Sequence, residues 1–545
     1  MRSRNTDLDV SRQDKLAAGT SRRWLNVASA ALLVAATLTL TGCAVGPQYT
    51  KPEIKPNESF NTQGSAQLSA QPAVDSAWWK AFNDPTLERL IQTAYSQNLP
   101  LRTAGVRIME GRALLGIAAG RQYPQLQAAF ASVQGINLSE NVANNQTFNR
   151  DFWDFQLGFD VAWEADFWGK FSKTVKAEQA AYLSSVADYQ QALVSLSAEV
   201  ARTYAVIRTF EVLIEQARRN VVVQEEGFQI ADARFRNGAT SELDVAQART
   251  LLENTRASIP QLEISLVQSK NALSTLLGQN PGAVDALLQG PQVIPAAPAQ
   301  VAVSIPAEML RRRPDIRSAE LVAMSQSERI GIAKAELYPR IVFYGTLGLQ
   351  KTTGGEGESI SLFNPASLFF ALGPKIHWPF FNYGRLENQV RIEDARFQQL
   401  LFGYQNSVLK ASQEVEDAVV GFVKSQEAAA AQENAVTAAR RSVELAFLQY
   451  REGAADFLRV LDAERTQLQE ENSLARIRSS VVTNLISLYK SLGGGWETSG
   501  DQRFVSEETQ EEMEKRTNWG DYFEPAPTTN EVAPETKPEN KPETK

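Results

Sequence analysis

Residues 155–163 read Phe-Gln-Leu-Gly-Phe-Asp-Val-Ala-Trp. Phe155, Leu157, Phe159, Val161 and Trp163 alternate with Gln156, Gly158, Asp160 and Ala162. Successive side chains on a strand point to opposite faces, so this period predicts a strand with one apolar and one polar face. Residues 370–378 repeat the pattern: Phe370, Leu372, Ile376 and Trp378 alternate with Ala371, Gly373, Lys375 and His377. Each stretch belongs to a strand pair. The loops of the two pairs, about 135–151 and 350–367, are rich in Asn, Gly, Ser and Thr and read as exposed tips.

The two stretches stand 215 residues apart, and the same offset aligns landmarks on both sides of them. Gly116-Ile117-Ala118 meets Gly331-Ile332-Ala333, and Tyr123-Pro124 meets Tyr338-Pro339. Trp163 meets Trp378, Gly169 meets Gly384, and Glu199-Val200 meets Glu414-Val415. Phe235-Arg236 with Gly238-Ala239 meets Tyr450-Arg451 with Gly453-Ala454, and Leu277-Gly278 meets Leu492-Gly493. Chance does not supply such a series at one offset, so the chain is two copies of one structural unit.

Each unit opens with a helix, roughly 86–120 and 314–336, which a Tyr-Pro pair stops because proline disfavours helix in the residue before it. The strand pair follows, then a long helix over about 170–237 and 385–452, on the order of 100 Å each. In the first of these Val200, Tyr204, Ile207, Ile214, Ala217, Val221, Phe228, Ala231 and Phe235 keep steps of three, four or their sum, a coiled-coil-like stripe. Asn237-Gly238 and Glu452-Gly453 break the helices, and returning helices run to about 277 and 492. Pro260 is expected to kink the first of them.

The chain starts with a leader. Arg22 and Arg23 precede an apolar run, Trp24 to Leu40, that is short for a membrane span. It ends in Leu40-Thr41-Gly42-Cys43, a lipobox, so 1–42 reads as a signal peptide removed before a lipidated Cys43. The competing reading, a stray Cys after an anchor helix, fits poorly with the small residues before Cys43 and the Pro-rich stretch after it. The leader carries six basic and three acidic residues, net +3, which leaves −11 for the rest against −8 overall. That balance argues against nucleic acid as a partner. No second Cys exists, so disulfides are excluded. Ala44 after the Cys leaves the outer membrane open as the destination. The tail from 497, with 13 acidic and six basic residues, reads as disordered.

Four strands are too few to close a barrel, and an open sheet cannot stand in hydrocarbon with unpaired edges. A soluble sandwich would need more strands than the sequence offers. Several chains therefore share one barrel, at least two because eight strands is about the minimum. Two, three and four copies all remain open on this reasoning. The amphipathic helix pairs, repeated around the ring, give a hollow cylinder of helices.

A set of motifs runs along the chain: Cys43-Ala44-Val45-Gly46-Pro47 with Tyr49 and Pro52; Trp78-Trp79 with Phe82, Asp84-Pro85 and Leu87; and Trp163-Glu164 with Asp166 and Trp168-Gly169-Lys170. Further along come Leu310 through Arg317 with Ala319-Glu320, Pro379-Phe380-Phe381 with Gly384-Arg385, and Leu492-Gly493-Gly494-Gly495-Trp496. As a set, these motifs resemble the outer membrane factor family, the TolC-like exit ducts, and within it the NodT-type lipoprotein branch. The resemblance implies an α+β membrane protein: a homotrimer with a 12-stranded β-barrel, a long periplasmic α-helical barrel and an equatorial domain. It implies a duct that accepts substrates from an inner-membrane pump of the resistance-nodulation-division type through a periplasmic adaptor, in contact with outer-membrane lipid. Beyond the lipid on Cys43 it implies no cofactor. The boundaries that follow are 43–85 for the lipidated N-terminal and equatorial segment, 86–290 and 291–496 for the repeats, and 497–545 for the tail.

The resemblance also assigns residues. Gly238 and Gly453 match tip glycines that meet the adaptor; read alone, each is a left-handed helix cap. Leu458, Asp462 and Arg465 match positions that constrict the periplasmic entrance, and their spacing puts them on one helix face. The plain alternative is an ordinary ion pair on that face. Some relatives carry a second carboxylate where this chain has Arg459, which puts a double acidic ring in doubt. The Leu310–Arg317 signature reads as a helix start with Asp315 near its N-terminus.

An enzyme needs a poised acid, base, nucleophile or metal. His377 is the sole His, strand alternation sends it to the polar face, and no phosphate-binding glycine loop precedes a Lys-Ser/Thr pair. A non-conducting scaffold would leave the apolar strands without purpose. A duct for type I protein secretion stays open as the alternative. Only five scattered Met weakly disfavour a copper-specific duct.

Overall fold

A computed structural model describes residues 44–52, 68–69, 77–141, 150–302, 312–353, 361–496 and 503–523. Cys43 and the leader lie outside the described residues. The chain forms two compact units that cut across both repeats. The first draws on residues 117–177 and 326–396 with the start of the chain; the second takes 50–116, 178–325 and 397–545.

The first unit is built on one antiparallel sheet. Its strands are β1 (Leu126–Asn137), β2 (Asp151–Glu164), β3 (Arg340–Thr353) and β4 (Leu368–His377), paired in chain order. β2 pairs with β3 across the two repeats, Trp163 opposite Phe343 and Leu157 opposite Leu349. The sheet is inside-out relative to a soluble protein. Phe159, Leu347, Phe370, Leu372 and Ile376 stand in the open on one face. The other face carries Asp154, buried, with Oδ1 accepting from Gln350 (3.0 Å) and Oδ2 from Gln156 (2.7 Å). On that same face Asp160 accepts from the Thr346 hydroxyl at 2.7 Å.

The motif residues around this sheet are structural joints. The indole N–H of Trp163 donates to Gln122 O (3.2 Å) and that of Trp378 to Leu337 O (3.0 Å), so the duplication extends to single hydrogen bonds. Asp166 accepts from the amides of Phe171 and Ser172 (2.9 and 2.8 Å) and caps helix α3, whose range is Lys170–Arg236. Trp168 stacks on Tyr338, centroids 4.6 Å apart, and donates to Pro339 O at 2.8 Å. Gly169 (φ +75°) lets the chain turn where a Cβ would lie 2.8 Å from the Cβ of Ala44.

The second unit is helical. The helix expected over 86–120 is two helices, α1 (Pro85–Gln97) and α2 (Leu99–Gly120). Asn98 explains the break: its Oδ1 accepts from Leu101 N (2.9 Å) while its Nδ2 donates to Leu276 O (2.8 Å). Then come α3, α4 (Glu242–Leu276), α5 (Pro314–Ala335), α6 (Arg385–Arg451) and α7 (Phe457–Ser491). α4 runs through Pro260 without a break in its assignment. The main core joins Leu90 and Ile91 of α1 to Val200, Tyr204 and Ile207 of α3, Val419 and Phe422 of α6, and Leu485 of α7. Trp78 stacks on Tyr489 (5.2 Å), and Trp79 meets Trp78 edge-on. Leu68–Ser69 pairs in parallel with Val301–Ala302, which ties the N-terminal segment to the mid-chain one.

The tail departs from expectation. Residues 503–523 are folded, with helix α8 (Glu507–Glu514) and a short turn at Gly520–Phe523. Val505 and Met513 are buried, and Trp519 and Phe523 pack against the main core. Arg102 donates to the Thr509 hydroxyl (2.7 Å), and Arg112 donates to Tyr522 O and lies over its ring. A Cβ at Gly105 would lie 2.0 Å from Phe504 O, so glycine admits the strap onto α2. The acidic count concealed these anchors. Residues 497–502 and 524–545 lie outside the described residues.

Candidate functional site at the helix-hairpin tips

Both hairpins end in the same hydrogen-bond motif. Gly238 N donates to Phe235 O (2.9 Å) and Ala239 N to Arg234 O (2.8 Å). Gly453 N donates to Tyr450 O (3.1 Å) and Ala454 N to Gln449 O (2.8 Å). This is the Schellman cap, which needs a left-handed residue; φ is +72° at Gly238 and +75° at Gly453. Both glycines are exposed, and an added Cβ would meet nothing within 4 Å.

A small second core fixes the hairpins to each other. Ala231 of α3, Leu251 of α4, Tyr450 of α6 and Phe457, Val460 and Leu461 of α7 are buried together. Arg234 places its guanidinium 4.5 Å from the Tyr450 ring centroid and donates to Tyr450 O. Tyr450 meets Phe457 edge-on at 5.2 Å.

α7 uses one face for that core and turns another to solvent. The solvent face holds Leu458, Asp462 and Arg465, the three residues expected at the entrance, and Leu458 is 60% exposed. Among the described residues, neither Asp462 nor Arg465 has an ion-pair partner within the chain, so the ordinary helix-face pair does not form. Arg459 is exposed as well. Arg465 also borders a shallow groove along α7 with Leu468, Gln469, Asn472, Ser473 and Arg476.

Sequence reasoning missed Glu464. It is buried on the core face of α7, against Phe447 and Gly227, and its Oε1 has no hydrogen-bond partner. Burial pushes its carboxyl up to about 7. The signal was present, since 457, 460, 461 and 464 form one stripe and three of the four are apolar.

In the signature before α5, Arg313 is a buried clamp, while Leu310 and Arg311 lie outside the described residues. Arg313 donates to Asp315 (2.7 and 3.0 Å), to Glu414 (2.7 Å) and to Ser491 O (3.0 Å), so it ties α5 to α6 and α7. Its expected structural role holds. His377 pairs in register with Arg340 at the end of β4.

The outer membrane efflux protein family model matches residues 90–279 and 305–494, one span in each repeat. The chain belongs to this family. It is 28% identical over 461 residues to the cation efflux system protein CusC of Escherichia coli O6:H1, covering 84% of this chain and 97% of that one. It is also 28% identical over 461 residues to nodulation protein T of Rhizobium leguminosarum bv. trifolii, covering 84% and 96%. Its fold matches the solved outer-membrane channel OprN with a TM-score of 0.78 at 32% identity, over 84% of this chain and all of that one. The fold class follows: an internally duplicated α+β chain that supplies strands to a membrane β-barrel and helices to an α-helical barrel. The protein is an outer-membrane efflux channel component that extends into the periplasm. No described helix is long and apolar enough to cross a membrane.

Proposed function

We propose that three copies of this chain close a 12-stranded barrel and a 12-helix cylinder, forming the passive exit duct of a tripartite efflux system. The observation that carries this reading is the inside-out sheet, apolar outward and hydrogen-bonded carboxylates inward, with an open edge at β1 and at β4. Such a sheet is stable in lipid only when neighbouring chains pair with its edges. Four long helices per chain, α3, α4, α6 and α7, give twelve in a trimer.

Cys43 carries the lipid that holds the chain to the inner leaflet of the outer membrane. Gly238 and Gly453 present bare backbone to a periplasmic adaptor, which couples the duct to a pump of the resistance-nodulation-division type. Leu458, Asp462 and Arg465 converge at the periplasmic entrance, where three Asp462 carboxylates form a ring that favours cations and pairs with neighbouring Arg. The duct performs no reaction and needs no cofactor beyond the lipid. Transport energy comes from the pump. The unpartnered, exposed state of Asp462 and Arg465 in the single chain supports this reading, because it leaves both free to meet other copies. Native mass spectrometry of the detergent-purified protein tests the count. Three copies are expected, and two or four would overturn it.

A further inference from the structure

Phe130, Gly158, Gly348 and Phe369 form one row across all four strands: Phe130 opposite Gly158, Gly158 opposite Gly348, Gly348 opposite Phe369. The row lies on the polar face, with Asp160 one step along β2 and Asp154 two steps the other way. A Cβ on Gly158 would lie 2.8 Å from Phe130 Cζ, and one on Gly348 would lie 2.9 Å from Phe369 Cε1. Each ring therefore reaches over a glycine into the space a Cβ would fill. Both rings stay only half-buried. The row is not inherited from the duplication: at the 215-residue offset Phe130 meets Gly345 and Phe369 meets Asp154.

We propose that Phe130 and Phe369 form a binding site inside the barrel for organic cations that carry a flat or apolar surface. The inference rests on the duct reading, which makes the polar face the lumen. A half-buried ring keeps part of its surface open to whatever passes. The π face of such a ring is electron-rich and attracts cations. The Asp160 carboxylate, held by Thr346, is one pair of residues away, about 7 Å along the strand. The Asp154 carboxylate, held by Gln156 and Gln350, is two pairs away on the other side. An apolar cation thus finds dispersion contact at the rings and a carboxylate on either side of them along β2. Three chains would place three such pairs of rings around the lumen.

The test is block of single-channel current by tetraphenylphosphonium added from the barrel side, with tetramethylammonium as the control cation. Current in potassium chloride alone is recorded first, which judges the duct reading separately. Wild type should be blocked by tetraphenylphosphonium and not by tetramethylammonium. The double variant Phe130→Leu/Phe369→Leu keeps an apolar cover over each glycine. Its half-blocking concentration should rise at least tenfold while its potassium chloride conductance changes less than about twofold. Phe130→Tyr/Phe369→Tyr keeps the rings and should keep the block. Block that persists unchanged in the leucine variant, or current in wild type with no block, overturns the proposal and leaves the rings as covers for glycine.

Discussion

Asp462 and Glu464 stand two residues apart on α7 and face opposite ways: Asp462 is exposed without an ion-pair partner among the described residues, and Glu464 is buried with an unsatisfied oxygen. The same short segment thus offers one carboxylate to solvent and hides another in the core of the hairpins.

The hidden carboxylate makes the hairpin tips sensitive to pH. The Glu464 carboxyl lies at about 7, above its ordinary value of 4.5. Its protonated form is therefore the one the fold favours. The stabilising contribution is complete below about 4.5 and is lost as pH rises through 7. A difference of this size corresponds to roughly 3 kcal/mol. Glu464→Gln should raise the thermal midpoint of the helical unit at pH 7.5 and should flatten its dependence between pH 5 and 7.5. Circular dichroism melts across that range check this. A variant whose midpoint falls in parallel with wild type would show that Glu464 is not the titrating group.

The tip glycines separate a conformational cost from a contact. Ala at Gly453 must take the left-handed conformation, which costs about 1 kcal/mol, and it meets no neighbouring atom. Gly453→Ala should lower stability by that amount. Gly453→Phe should cost little more in stability and weaken adaptor binding at least tenfold by surface plasmon resonance. Unchanged affinity would remove Gly453 from the adaptor surface.

Much of this was legible in the sequence because the strands and the long helices obey simple periods. The alternation from Phe155 to Trp163 and the stripe from Val200 to Ala231 needed no tertiary information. The tip caps were legible because only glycine suits φ near +75°. The break at Asn98 was not, because it depends on a side chain that reaches Leu276 from a distant helix. The strap over 503–523 was hidden for a related reason: its apolar anchors are spaced by acidic residues and gain meaning only against α2. Glu464 was overlooked because a carboxylate near an entrance is easily assigned to solvent. Phe130 and Phe369 stayed unremarked because a row across strands exists only once the register is known.

The strap makes its own prediction. A chain ended after residue 502 takes Phe504 off Tyr189 and leaves Arg102 and Arg112 without their tail partners. Burial of Val505, Met513 and Trp519 is on the order of 2 kcal/mol per side chain, so the truncation should melt well below the full chain. Equal melting of both would show that the strap adds nothing. Truncation after 523 is the control and should leave the melt in place.

The glycine pair in the sheet should be intolerant. At Gly158 a Cβ would lie 2.6 Å from Leu347 O as well as 2.8 Å from the Phe130 ring. Gly158→Ala must shift the backbone, at a cost of about 1–3 kcal/mol per chain. The temperature at which the assembled protein dissociates on unheated gels should fall. Gly373→Ala, where nothing lies within 4 Å, serves as the reference and should not change it.

Single-channel conductance in a planar bilayer most directly tests a passive duct with Asp462 at its entrance. Wild type should show low, cation-preferring conductance, and Asp462→Ala should raise the conductance and weaken the preference. Conductance and selectivity identical in the two proteins would contradict the assignment of Asp462 to the gate.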